Sequence, residues 1–228
     1  MNTPIIFPAG DSLALGYTVA CLKEQGISIG EENATHLLFD VPTKTSDLDW
    51  VGSHTTLIGG NLDWLDPAIA RIDLLKDEYY VAENAHLTAD CALRLLGQHL
   101  KCRFRGCSIL IIGWGRIGKC LAAMLKDLGA QVTVAARKTV DLAMAAALGY
   151  DSVALENIRP KHYQAVVNTA PAPVLETSEG LYIDLASKRG ILGENVIWAR
   201  ALPGKMLPES SGKLIADSIL RHLREGEK

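Results

Sequence analysis

The residues in this chain whose types and spacing best suit chemistry are Gly113-Trp114-Gly115-Arg116-Ile117-Gly118. Glycines in the pattern G-x-G-x-x-G fit a backbone that must pass close to a pyrophosphate. Gly113 permits a tight turn, Gly115 leaves no Cβ between backbone and phosphate, and Gly118 permits close contact of helix with strand. The pattern alone is a weak signal, and its context makes it strong. The continuous apolar run 107–112 precedes it, as in a strand buried on both faces of a parallel sheet. Helix-compatible residues 117–128 follow, so the loop opens onto a helix N-terminus, a ready anion site. Residues 113–118 are therefore a candidate cradle for a nicotinamide dinucleotide, with the bulky Trp114 read as packing inside the turn.

The next strand, Gln131–Ala136, ends at Arg137-Lys138, where an NAD-preferring site would present a carboxylate to the adenosine ribose. A basic pair there suits the 2′-phosphate of NADP, so NADP is the expected cofactor and NAD the less favoured one. Solvated surface bases are the alternative reading. A helix over 140–148 and a strand over Ala165–Asn168 come next, and the strand runs into Thr169-Ala170-Pro171. Ligands bind in loops at the carboxyl ends of such strands, which adds these three to the cofactor candidates.

The elements that must position these residues alternate short apolar runs with longer helix-compatible stretches. The fold class is α/β, a Rossmann-type doubly wound parallel sheet with a smaller N-terminal α/β domain. The N-terminal domain, residues 1–83, starts with a strand at Ile5–Pro8 and a helix over about 12–24, N-capped by Asp11 or Ser12 and stopped at Gly26. Strands over 35–41 and 55–59 follow, with Pro42, Asn61 and Pro67 marking loops. A helix from 84 to about 100 joins the domains, with Lys101, Arg103 and Arg105 at its carboxyl end, where the helix dipole favours cations. The dinucleotide-binding domain spans 84–207. The segment 208–228 reads as an amphipathic helix with Leu214, Ile215, Ile219 and Leu223 on one side, suited to packing back on the N-terminal domain or to a homodimer contact.

Composition excludes several classes. Lys+Arg 23 against Asp+Glu 26 gives a net charge of −3, which supplies no basic field for nucleic acid. The five cysteines form no C-x-x-C pair and do not cluster with histidines, so neither a metal site nor a disulfide framework is expected. No apolar stretch is long enough to span a bilayer, and no basic-then-apolar leader opens the chain. A cytoplasmic protein with no membrane partner is expected.

For substrate, the candidates are Ser187, Lys188 and Arg189 after a strand over 181–186, with Pro203-Gly204-Lys205 beyond. Lys188 and Arg189 could clamp a carboxylate, Arg189 the better through its planar fork, and surface solvation is the alternative. Asp184, inside an apolar strand, is read as a buried hydrogen-bonded acid rather than a catalytic one. The six histidines show no partner pattern, and only His86, near the start of the joining helix, is kept as a remote catalytic candidate beside a capping or hydrated role.

The stretch GCSILIIGWGRIGKCLAAMLKDLGAQVTVAARK is followed, in order, by N-T-x-P, I-D-L-A-S-K and L-P-G-K-x-x-P-x-x-x-G. Over about residues 84–225 this ordered combination resembles the dipicolinate synthase A-subunit family. The resemblance implies an NADP-linked oxidation of dihydrodipicolinate to dipicolinate, the pyridine dicarboxylate of bacterial spores, so the implied substrate is a small dicarboxylate. It also implies a partner, a separate flavoprotein-like second subunit, and a two-domain arrangement with the site in the cleft. The first 83 residues look shorter than that family's N-terminal domain and lack a second glycine turn after the first strand. Two other readings stay open: a nucleotide-binding subunit with no catalysis of its own, and a 2-hydroxyacid-dehydrogenase-like enzyme, which ranks lower because no histidine and acid pair stands late in the chain.

Overall fold

The computed structural model describes residues 4–44, 55–176 and 179–225. In chain order the elements begin with β1 (Ile5–Pro8), α1 (Leu13–Glu24), β2 (Ser28–Ile29), β3 (His36–Leu38), β4 (Thr56–Gly59), β5 (Arg71–Asp73) and α2 (Glu78–His99). They continue with β6 (Ser108–Ile112), α3 (Arg116–Asp127), β7 (Gln131–Ala136), α4 (Thr139–Ala147), β8 (Asp151–Ala154) and β9 (Ala165–Asn168). The last are β10 (Leu175–Glu176), β11 (Tyr182–Asp184), β12 (Ile191–Leu192), β13 (Val196–Trp198), α5 (Leu202–Met206) and α6 (Pro208–Glu225). The chain divides into two compact units, Met1–Leu87 with Pro203–Lys228, and Thr88–Leu202.

The first unit is built on a five-stranded parallel sheet in the order β2-β1-β3-β4-β5. Ser12 caps α1, its hydroxyl accepting from the Leu15 amide at 3.1 Å and donating to Asp40. Ile6, Leu22, Leu38, Ile58 and Leu74 are fully buried in this unit together with Ile215 and Ile219 of α6. Each such side chain contributes about 1.5–3 kcal/mol relative to exposure. The crossing of α1 with α6 is close because Gly212 has no side chain: a Cβ there would lie 2.4 Å from the Ala14 carbonyl oxygen and 2.6 Å from Tyr17 Cβ. Thr18 closes the crossing, donating to the carbonyls of Ala14 (2.9 Å) and Gly212 (3.1 Å).

Asp77 sits where α2 begins, accepting from the amides of Tyr79 (2.9 Å) and Tyr80 (3.2 Å) and from Arg221 (3.0 Å) and His222 (3.1 Å) of α6. Burial alone would raise its pKa, but the Tyr80 amide, the Arg221 guanidinium, the Tyr79 amide and His222 outweigh burial and hold the carboxyl below its ordinary value.

The second unit holds a six-stranded parallel sheet in the order β13-β11-β9-β6-β7-β8. Counted from β6 as the first strand, this is the doubly wound order of a Rossmann fold, with the reversal between β6 and β9. Ile109, Leu110, Ile111 and Ile112 of β6 are all at 0% exposure, as a central strand covered on both faces requires. β10 and β12 form a separate parallel pair.

Several elements differ from the sequence expectation. The helix expected from 84 begins at Glu78, because Asp77 caps it by accepting from the Tyr79 and Tyr80 amides, a local N-cap that the sequence expectation did not use. That helix ends at His99, so Lys101, Arg103 and Arg105 lie beyond its last turn. The division between the two units falls within α2, after Leu87. The strand expected over 35–41 pairs only at His36–Leu38, and β5, three residues between loops, carries no periodic signal. The strand expected over 181–186 stops at Asp184, whose side chain accepts from the Ala186 amide and turns the chain. Among the described residues no helix is long and apolar enough to cross a membrane.

The α1–α6 crossing is testable by one methyl group. Gly212→Ala is expected to cost about 1–3 kcal/mol in urea unfolding through overpacking. Gly16→Ala, on α1 with nothing within 4 Å of the added Cβ, is expected to be neutral or stabilising by up to about 1 kcal/mol.

Candidate nucleotide-binding site

The site is built where β6 ends. Gly113 has φ +101, a conformation that residues with a Cβ rarely adopt, and its amide donates to the Ala135 carbonyl at 2.8 Å. A Cβ on Gly113 would lie 2.6 Å from Thr169 Oγ1. A Cβ on Gly118 would lie 2.2 Å from the Gly113 carbonyl oxygen, so α3 packs against the turn at a separation only glycine allows. Gly115 is different: nothing lies within 4 Å of its missing Cβ. Two glycines of the loop are thus required by the protein's own packing, and the third borders open space.

That open space faces the start of α3. Gly115 is the N-cap and offers no side-chain acceptor to the first-turn amides, which in any helix lack acceptors within the helix. A pyrophosphate fits this arrangement, since phosphate oxygens can accept from those amides and the helix dipole favours negative charge. Arg116 is exposed and Ile117 half-buried beside the same turn.

Thr169 joins the two strands at the reversal. Its amide and hydroxyl both donate to the Ile112 carbonyl, at 2.8 and 3.0 Å. Ala170 and Pro171 follow, half-buried and exposed. Arg137 and Lys138 are exposed directly after β7, the strand paired with β6, and Lys138 makes no capping bond to α4. Trp114 is buried and meets Tyr150 edge-on, with ring centroids 5.4 Å apart. Lys126 lies 4.7 Å over the Tyr150 ring and donates to the Leu148 carbonyl at 2.8 Å, so this corner is fixed by packing and cation–π contact.

Asp184 organises the other half of the edge. Fully buried, it accepts from Asn168 Nδ2 (2.8 Å) and from the amides of Ala186 (3.1 Å), Gly190 (2.6 Å) and Ile191 (2.9 Å). A buried carboxylate needs such donors, so its role is structural. Asn168 in turn brackets Ala170, donating to its carbonyl and accepting from its amide, both at 3.0 Å. The loop after β9 and the loop after β11 are therefore tied to one another through two buried side chains.

The sequence candidates thus fall into place unevenly. The glycine loop meets Thr169 and Ala170, and Ser187, Lys188 and Arg189 are exposed on the loop that Asp184 holds. Arg189 is partly committed, its Nη2 donating to the Gly193 carbonyl at 3.1 Å. His86 is exposed on α2 in the other unit. Two residues that sequence reading passed over, Trp198 and Arg200, stand at the end of β13 with the guanidinium carbon 5.3 Å from the indole centroid. Their two-residue spacing puts them on one face of an extended segment, a signal too short to stand out in the sequence. Among the described residues no group of three or more His, Cys, Asp or Glu could hold a metal.

Strand order, glycine turn and helix N-terminus together define a Rossmann-type α/β fold with a candidate anion cradle at the end of β6. No family profile matches the chain. In sequence it is similar to the dipicolinate synthase A subunit of Bacillus subtilis (strain 168), 25% identical over 209 residues that cover 82% of this chain and 70% of the relative. In structure it is similar to the dipicolinate synthase A subunit from Bacillus halodurans, with TM-score 0.79 at 19% identity over 97% of both chains. It also shares its fold with a transhydrogenase from Sinorhizobium meliloti (TM-score 0.70, 13% identity, 96% of this chain and 93% of that one). D-lactate dehydrogenase from Escherichia coli is more distant (TM-score 0.57, 12% identity, 99% and 98%). The chain therefore shares the Rossmann-type α/β fold of these proteins.

The contrast between the glycines gives a direct test. Gly118→Ala is expected to lose about 2 kcal/mol or more in thermal or urea unfolding, because backbone must shift. Gly115→Ala is expected to cost less, about 1 kcal/mol or below, the preference of an N-cap position for Gly over Ala.

Proposed function

We propose that the Thr88–Leu202 unit binds NADP and that the protein is an NADP-dependent oxidoreductase acting on a small ring dicarboxylate, as in the oxidation of dihydrodipicolinate to dipicolinate. The observation that carries the reading is the open flank of Gly115 at the uncapped start of α3, beside two glycines that the packing itself requires.

Each candidate then has a task. The first turn of α3 and Gly115 receive the pyrophosphate. Arg137 and Lys138 take the 2′-phosphate, the guanidinium through several donors at once. Thr169, Ala170 and Pro171 border the nicotinamide end, held in place by Asn168 and Asp184. Bound NADP in its oxidised form supplies the hydride acceptor. Ser187 and Lys188 offer a hydroxyl and a cation to a substrate carboxylate, and Arg189 adds the donors that Gly193 does not use.

The resemblance to one component of a synthase supports a second chain, flavoprotein-like in the family reading, as partner in a cytoplasmic enzyme. A second reading, a nucleotide-binding component without turnover of its own, draws on the tie between Arg189 and Gly193, which leaves one of the expected clamps partly engaged.

Paired titrations with NADPH and NADH test the cofactor half. NADPH is expected to bind at least about tenfold more tightly than NADH, equivalent to about 1.4 kcal/mol. In Arg137→Asp that preference is expected to vanish or reverse, because a carboxylate repels the 2′-phosphate and accepts from a 2′-hydroxyl. No binding of either nucleotide would defeat the proposal.

A further inference from the structure

β13 is the outermost strand of the sheet and runs parallel to β11, with Trp198 paired opposite Asp184. Its carboxyl end therefore opens on the same edge as residues 187–189 and 169–171. Trp198 is 43% exposed yet fixed, its Nε1 donating to the Ala186 carbonyl at 3.1 Å, one residue before Ser187. A large aromatic left open to solvent and tied to a ligand-facing loop offers flat apolar surface in a set orientation.

Arg200 is exposed, and its guanidinium carbon lies 5.3 Å from the Trp198 ring centroid. A cation–π contact of this kind restricts the side chain's rotamers before any ligand arrives. A ring face takes up none of the guanidinium's N–H donors in a conventional hydrogen bond, which leaves them for a carboxylate.

The next residue, Ala201, has φ +52, in the left-handed region that a residue with a Cβ rarely adopts. Backbone held there concentrates at ligand sites, and here it fixes the turn that carries Arg200 out of β13. Lys188, Arg189 and Arg200 are exposed, whereas Asp184 is buried and taken up by its N–H donors. Of the two arginines, Arg189 already donates to the Gly193 carbonyl, and Arg200 is the one held by a ring contact alone.

We propose that Arg200 binds a carboxylate of a planar ring acid, and that Trp198 is the positioning residue that holds its guanidinium over the edge beside Ser187. This rests on the oxidoreductase reading above for its choice of acid, a ring dicarboxylate. The fork of Arg200 takes one carboxylate in-plane, the indole edge gives the ring an apolar neighbour, and Ser187 and Lys188 remain for the second carboxylate.

Dipicolinate is the probe, titrated by calorimetry against the full chain with and without NADPH. Arg200→Ala is expected to weaken dipicolinate by about tenfold to a hundredfold, the range for losing one charge-assisted contact. Arg200→Lys should recover only part of that, because an ammonium lacks the fork. Trp198→Ala should fall with Arg200→Ala, whereas Trp198→Phe, which offers a ring face but cannot donate to the Ala186 carbonyl, should fall between that variant and the wild type. NADPH affinity should be unchanged in all four variants. Equal dipicolinate binding by wild type and Arg200→Ala, or none by the wild type, overturns the assignment. Loss of NADPH binding by the wild type would instead defeat the cofactor reading alone, since the titrations without nucleotide still decide the role of Arg200.

Discussion

The carbonyl oxygen of Gly113 stands where only a hydrogen on the Cα of Gly118 can approach it, 2.2 Å from the place a Cβ would take. Much of the site follows from that contact. It brings α3 down onto the end of β6, which points the helix's uncapped first turn at the space beside Gly115. Thr169 completes the junction by donating to the Ile112 carbonyl from the neighbouring strand, so the turn, the helix and the loop after β9 form one rigid corner at the reversal of strand order. An anion site of this kind depends on precise backbone placement, and the placement here is set by packing that any larger residue would break.

A second constraint, the burial of Asp184, shapes the rest of the edge. A carboxylate removed from water must find donors, and this one finds Asn168 and the amides of Ala186, Gly190 and Ile191. Satisfying it bends the chain after β11 and links it to the loop after β9 through Asn168. Gly190 is necessary to the same knot, since a Cβ there would lie 2.4 Å from Asn168 Nδ2 and 2.6 Å from the Ala172 carbonyl oxygen. The exposed residues 187–189 inherit their position from this buried network, as does Trp198 through its bond to Ala186.

What can be read from the sequence is local. The glycine turn, its preceding apolar strand and its following helix announce themselves by composition and spacing, and Ser12 announces the start of α1 as an N-cap. Asp184 stands out as an acid within an apolar strand, which is enough to suggest burial with partners but not which partners. The early start of α2 depends on Asp77, whose other bonds reach Arg221 and His222 far along the chain. The last glycine of the 202–212 motif has no local reason at all: Gly212 is required by α1, nearly two hundred residues earlier, where its Cβ would lie 2.4 Å from the Ala14 carbonyl oxygen. Trp198 and Arg200 have the two-residue spacing of one strand face, but the bond from Trp198 to the Ala186 carbonyl lies outside their local sequence.

Amide chemical shifts would test the central claim most directly. Assigned ¹⁵N–¹H spectra of the protein, recorded as NADPH is added, are expected to show the largest changes at the amides of Gly115, Ile117 and Gly118, with further changes at Arg137 and Lys138. If saturating NADPH left those amides unmoved, or moved a cluster elsewhere in the chain, the glycine turn would not be the dinucleotide site and the account built on it would fail.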